Sequence, residues 1–160
     1  MKPIVWFIGQ EEIPRNSETY AALLALDYFA RNPGIETIRN VYLRDGEKPR
    51  KTDDTYTICS RFGVIDFPVK IFSQHPGTFE HVGDVLFHAK RRNDALIIAG
   101  SDGGDCIQKA LLAAKLAFPR TYVLPQAVHF DYEIPGDREF ISRHAEEISL
   151  DDAVTLMRGV

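Results

Sequence analysis

The apolar positions of the chain recur with two different periods. "PIVWFI" (Pro3–Ile8) is an unbroken apolar run, which predicts a strand buried on both faces. In "SETYAALLALDYFARN" the residues Tyr20, Leu23, Leu24, Leu26, Tyr28 and Phe29 cover most of a helical circumference. Ser17 is a suitable N-cap for that helix, and Asn32-Pro33-Gly34 supplies the stop. Asp27 falls on the side of Leu23 and Leu24, where it either joins a structural ion pair or faces a site. "IETIRNVYL" alternates loosely and predicts a second strand. Asp53 or Asp54 is placed to cap a short helix through "TYTICSRF", ended by Gly63, and "FPVKIF" predicts a third strand. Helical spacing returns over Thr78–Arg92, where Phe79, Val82, Val85, Leu86 and Ala89 share a face. Asp94–Gly100 then predicts a fourth strand, Asp105–Phe118 a helix, and "RTYVL" a fifth strand.

After Pro125 the pattern changes. "AVHFDY" and "EFISRH", on either side of "IPGD", predict a short strand or hairpin at one sheet edge. "SLDDAVTLMRGV" predicts a terminal helix capped by Ser149. Strands alternating with helices imply an α/β fold with helices on both faces of the sheet. The expectation is a single Rossmann-like three-layer domain with a mostly parallel five-stranded sheet. Residues 1–124 form its core and residues 125–160 a C-terminal extension.

Composition narrows the function classes. With a net charge of -4, the chain lacks the basic excess of a surface that coats nucleic acid. Lys90, Arg91 and Arg92 end a helix, where cations complement the dipole. No apolar run reaches transmembrane length, so no membrane partner is expected. Cys59 and Cys106 have no C-x-x-C spacing and read as reduced packing residues of a cytoplasmic protein. Cys106 opens a helix, a position that favours a thiolate, but the adjacent Asp105 opposes it. His81 and His88 lie about 10 Å apart along one helix, and His75, His129 and His144 are scattered. Neither a metal site nor a cofactor is expected.

The chemistry concentrates in "IIAGSDGGDCIQ". A buried strand runs into Gly100, Gly103 and Gly104 and a helix follows, the arrangement by which free backbone N–H groups approach a ligand. Asp102 and Asp105 place negative charge where a phosphate would sit, although Asp105 also reads as a helix cap. Two like charges at about 4 Å repel by about 4 kcal/mol at an effective dielectric near 20. Ribose hydroxyls or a base amino group suit such a loop better than a naked phosphate.

Three stretches, "IVWFIGQEEIPRNSETYAALLALDYF", "FPVKIF...GDVLFHAKRRNDALIIAG" and "GSDGGDCIQ", resemble the SLOG-type Rossmannoid superfamily, which includes the lonely-guy (lysine-decarboxylase-like) phosphoribohydrolases. Laid against that motif, Gly104 matches a glycine, Asp105 replaces a threonine and Gln108 replaces the glutamate that helps cleave the glycosidic bond. In the first loop Gly9 matches, while Gln10 and Glu11 stand for serine and arginine. The resemblance implies binding of a nucleoside or nucleotide-derived small molecule at the carboxyl edge of the sheet, without glycosidase activity. The implied contacts are Gly9, Gln10, Glu11, Gly100, Ser101, Asp102, Gly103, Gly104, Asp105 and Gln108. Two alternatives stand beside it. One is a nucleoside hydrolase or 2-deoxyribosyltransferase-like enzyme using Glu11, Glu12, Asp102 or Asp105 as relocated carboxylates. The other is a structural or interaction module that has lost its ligand site. A homodimer built through the extension is open in each case.

Overall fold

A computed structural model describes residues 2–48, 54–60, 70–73 and 81–159. The first apolar run forms strand β1 (Lys2–Ile8), and its alternating side chains serve two separate cores. Ile4, Trp6 and Ile8 pack on one face of the sheet, and Val5 and Phe7 on the other. Helix α1 (Glu18–Ala30) begins where expected, with Ser17 Oγ accepting the Tyr20 N–H at 3.1 Å. Strand β2 (Thr37–Tyr42) then pairs parallel to β1.

The next segment departs from the expected helix. Residues Tyr56–Ser60 form strand β3, parallel to β2. Tyr56, Thr57, Ile58 and Cys59 are all buried, and their aromatic and β-branched side chains fit a pleated strand better than a helix. Asp54 does not cap a helix. Its carboxylate instead accepts from Thr37 Oγ1 at 3.2 Å and pairs with Arg39 at 3.0 Å. Strand β4 (Lys70–Ser73) runs antiparallel to β3 at the sheet edge. Asp53, Gly63 and the first residues of "FPVKIF" lie outside the described residues, as do His75 and Thr78–Glu80.

Helix α2 (Val82–Lys90), strand β5 (Asn93–Ser101), helix α3 (Cys106–Ala117) and strand β6 (Thr121–His129) complete the alternation. β5 pairs with β1 on one side and β6 on the other, both parallel. "EFISRH" is not a hairpin strand but most of helix α4 (Asp137–His144), entered through Gly136 with Asp137 and Glu139 in the first turn. The two-residue strand β7 (Glu146–Glu147) and helix α5 (Leu150–Met157) end the described chain. The sheet order is β4-β3-β2-β1-β5-β6-β7, so six strands run parallel and β4 opposes them. The three-layer α/β class is as expected, with a wider sheet than the five strands read from sequence. Side chains from α2, α3 and α4 fill one core, and those from α1 and α5 fill the other. No helix among the described residues is long and apolar enough to cross a membrane.

Two polar devices fix this frame. Asp27 is a structural residue: it pairs with Arg39 at 2.7 Å and with Arg31 at 3.2 Å. Ser149 and Asp152 form a reciprocal capping box at the start of α5. Replacing Ser149 with alanine is expected to cost about 1 kcal/mol. Thermal unfolding should show this as a melting temperature about 2–4 °C lower.

Candidate functional site

The topology brings four strand ends together. From β1 the chain moves to β2 on one side, and it later returns through α2 to β5 on the other. In open α/β sheets ligands bind outside the carboxyl ends of the strands at such a switch point. Gly9 follows β1, Tyr42 ends β2, Ser101 ends β5 and His129 ends β6. Gly9 and Ser101 lie side by side, since a Cβ added to Gly9 would stand 2.7 Å from the Ser101 carbonyl oxygen.

Cys106 is the first residue of α3, just beyond this edge. It is buried, as a packing residue would be, but its Sγ lies 3.2 Å from the Tyr42 hydroxyl. Burial, and next the contact with Cys106, push the Tyr42 phenol well above its ordinary range. Tyr42 therefore stays protonated at physiological pH and can donate its O–H to the sulfur. First-turn amides of a helix have no intrahelical acceptor. Here the Ile107 N–H is taken by the Asp102 carbonyl at 3.0 Å, whereas that of Cys106 has no backbone acceptor among the described residues.

The turn before Cys106 is tightly braced. Asp102 Oδ1 accepts the Gly104 N–H at 3.0 Å and the Asp131 N–H at 3.3 Å, and the Gly103 N–H donates to the His129 carbonyl at 2.8 Å. The Phe130 ring covers Gly103 so closely that an added Cβ would lie 2.5 Å from it. Gln108 Nε2 donates to the Gly103 carbonyl at 3.1 Å and to Asp137 Oδ1 at 3.0 Å, tying the turn to the start of α4. Asp105 is exposed and pairs with Lys109 at 3.2 Å; its side chain makes no cap hydrogen bond.

On the opposite bank a 3-10 turn, Gln10–Glu12, follows Gly9. Gln10 Oε1 accepts from the Arg39 guanidinium, which also lies over the Phe7 ring at 4.5 Å. Glu11 Oε1 accepts the Tyr42 N–H at 3.0 Å. Glu12 Oε2 and the Tyr42 ring both border Gly9. The Glu12 carboxyl is held above its usual range by partial burial and then by the charges of Asp131, Glu11 and Asp102, with His129 opposing them. The sequence-derived candidates Glu11, Asp102 and the Gly9 and Gly100–Gly104 backbone thus lie together at the carboxyl ends of β1, β2 and β5. Asp105 and Gln108 are engaged by Lys109 and Asp137. No group of His, Cys, Asp and Glu with metal-holding geometry occurs among the described residues.

Glu12 gives a pH test with a definite sign. Its raised carboxyl favours the folded state below the ordinary glutamate range, and that contribution is lost as pH rises through the folded value. Glu12→Gln should therefore be more stable than the parent at neutral pH. The difference should vanish below about pH 4, where a free glutamate is itself protonated. Thermal unfolding across that range measures it.

Tyr42, His129 and Asp131 were not legible as site residues. Tyr42 looks like an ordinary strand end in the sequence and reaches Cys106 across 64 positions. Only the strand order, which places β2 next to β1, reveals it.

No family model matches the chain, and no curated protein matches it in sequence. Solved structures do match over nearly the whole fold. The YcaC gene product of Escherichia coli, described as an octameric hydrolase of unknown specificity, aligns with a TM-score of 0.67 at 18% identity, covering 99% of this chain and 80% of that one. N-carbamoylsarcosine amidase from Thermoplasma acidophilum gives 0.64 at 16%, covering 94% and 98%. A cysteine hydrolase from Pseudomonas syringae pv. phaseolicola gives 0.64 at 13%, covering 99% and 93%. The fold is like that of the isochorismatase-like hydrolases. Structures described as isochorismatase-like hydrolases, from Alkaliphilus metalliredigens and Chromobacterium violaceum, align with TM-scores of 0.62 and 0.64.

This finding corrects the SLOG resemblance. A buried strand, a glycine turn and a helix are common to many doubly wound folds, and three such stretches did not distinguish between them. The nucleotide-derivative reading that rested on it goes with it, since the structures of like fold are described as isochorismatase-like and cysteine hydrolases and an amidase.

Proposed function

We propose that this protein is a cysteine-dependent hydrolase of an amide or related acyl bond, with Cys106 as its nucleophile. The observation that carries the reading is the Cys106 Sγ at 3.2 Å from the Tyr42 hydroxyl, at the start of α3 and at the switch point of the sheet. The cysteine hydrolase and the amidase of like fold support the reaction class.

In this reading the sulfur attacks the acyl carbon and forms a C–S bond, while the carbonyl electron pair moves onto oxygen. The Cys106 N–H, which has no backbone acceptor among the described residues, faces that developing charge as an oxyanion donor. Tyr42, a neutral phenol, steadies the anionic sulfur by donation. Collapse of the tetrahedral species breaks the bond to the leaving amine, which takes a proton from Glu12, the carboxyl held above its usual range. Water then attacks the thioester carbon and gives a proton to the Glu12 carboxylate, and the C–S bond breaks to release the acid and regenerate the anionic sulfur. The Gly9 and Gly100–Gly104 backbone frames the crevice, and Glu11 holds β2 in place through the Tyr42 amide.

Self-association is part of the proposal, as either a homodimer or a larger ring. The E. coli YcaC product is described as octameric, and Leu116 and Tyr132 leave large apolar side chains 77% and 86% exposed. A cytoplasmic location is proposed because both cysteines are free thiols.

The function is tested by incubating pure protein with a panel of primary amides, N-carbamoyl compounds and activated esters, before and after alkylation with iodoacetamide. Turnover of at least one class, abolished by alkylation at Cys106, is expected. Turnover that survives stoichiometric alkylation of Cys106 would sink the proposal.

A further inference from the structure

A second feature lies between β6 and α4 and adjoins the glycine turn through Phe130. It is a cavity of about 150 Å³ lined by Pro125, Val128, Phe130, Arg138, Ile141 and Glu147. Val128 and Ile141 are buried and, with Pro125 and Phe130, make an apolar floor. A dry apolar space of about that volume admits one benzene ring. An isobutyl or benzyl side chain would therefore fill it.

Its surroundings are not apolar. Strand β6 pairs with β7 only through Tyr122 and Val123, while on its other side Val128 and His129 pair with β5. Beyond Val123 the outer edge of β6 therefore has no strand partner among the described residues. Two side chains of opposite sign complete the lining. Arg138 lies over the Phe130 ring at 4.7 Å and commits its Nε to Glu133, and its terminal nitrogens make no hydrogen bond among the described residues. Glu147 accepts the Ser142 hydroxyl on Oε1 at 2.8 Å, leaving its second oxygen. A guanidinium fork matches a carboxylate, and a carboxylate oxygen matches an ammonium.

We propose that this cavity binds a free α-amino acid with an apolar side chain of leucine to phenylalanine size. The side chain occupies the space over Val128 and Ile141, the carboxylate meets Arg138 and the ammonium meets Glu147. A residue inside a peptide carries neither charge, and a simple amine or acid carries only one, so the free amino acid is the occupant that uses the whole lining. This site stands independently of the reaction proposed for Cys106.

Isothermal titration calorimetry on the full chain tests it, with L-leucine and L-phenylalanine as probes and with isopentylamine and 3-methylbutanoate as single-charge controls. At least one amino acid should bind, and both controls should bind at least tenfold more weakly. Arg138→Gln and Glu147→Gln should each weaken amino-acid binding by at least tenfold without shifting the melting temperature of the free protein. No heat from either amino acid at millimolar concentration would overturn the proposal. So would equal binding of the controls, which would mark an apolar hole only. Unchanged binding in both variants would place the amino acid elsewhere and overturn it too.

Discussion

Gly100→Ala should prevent the chain from folding to a stable product. Gly100 is the penultimate residue of β5 and has a φ of 128°, a conformation that side-chain-bearing L-residues avoid. It pairs with Ile8 across the β1–β5 ladder. A Cβ built there would lie 1.8 Å from the Ile8 carbonyl oxygen and 2.7 and 2.8 Å from its carbonyl carbon and amide nitrogen. None of these atoms belongs to a flexible side chain, so relief requires β1 to move away from β5 at the centre of the sheet. The cost should exceed about 4 kcal/mol, a large share of the roughly 5–15 kcal/mol that holds a domain folded. Gly83 is the control. It lies within α2 with nothing within 4 Å of its added Cβ, so Gly83→Ala should leave stability unchanged or raise it by about 1 kcal/mol. Soluble yield and thermal unfolding of the two variants measure the contrast.

The second large effect is on chemistry rather than on folding. Cys106→Ala should lower hydrolysis by at least about a thousandfold, as removal of a covalent nucleophile does. Cys106→Ser should fail nearly as completely, since an alcohol is a far weaker nucleophile than a thiolate at neutral pH. Both should fold, because each removes or exchanges one small atom group in a packed position. Tyr42→Phe should lose less. It removes one hydrogen bond to the sulfur, worth about 1.5–3 kcal/mol when the partner is charged, or roughly a tenfold to hundredfold loss of rate. Circular dichroism on each variant separates lost chemistry from lost structure. If Cys106→Ala retained the parental rate, the sulfur would have no covalent role.

What the sequence made legible follows the range of the forces involved. Local patterns placed β1, α1, α3 and α5, with the caps of α1 and α5, because Ser17 and Ser149 act within three residues of themselves; Asp105, read as a cap for α3, pairs with Lys109 instead. Tyr56–Ser60 was misread because Asp54, a good cap in isolation, is claimed by Thr37 and Arg39 from a neighbouring strand. "EFISRH" was misread because its two adjacent apolar residues, Phe140 and Ile141, carry no decisive period, and the choice falls to the Gly136–Asp137 entry. The glycine turn before Cys106 was visible as a site. Its character was not, because that depends on groups brought in by strand order. Tyr42 from β2, Glu12 from the turn after β1 and Asp131 from beyond β6 meet there only once the sheet has formed. Two aspartates in the turn suggested a repelled phosphate, whereas Asp102 spends its carboxylate on the amides of Gly104 and Asp131.

The most direct measurement is the intact mass of the protein after quenching with acid during turnover of an activated ester or amide. A mass increase equal to the acyl group, mapped by peptide digestion to Cys106 and lost in Cys106→Ala, is the expected result. Turnover with no acyl adduct under single-turnover conditions, or an adduct on another residue, would contradict the assignment of Cys106 as the nucleophile.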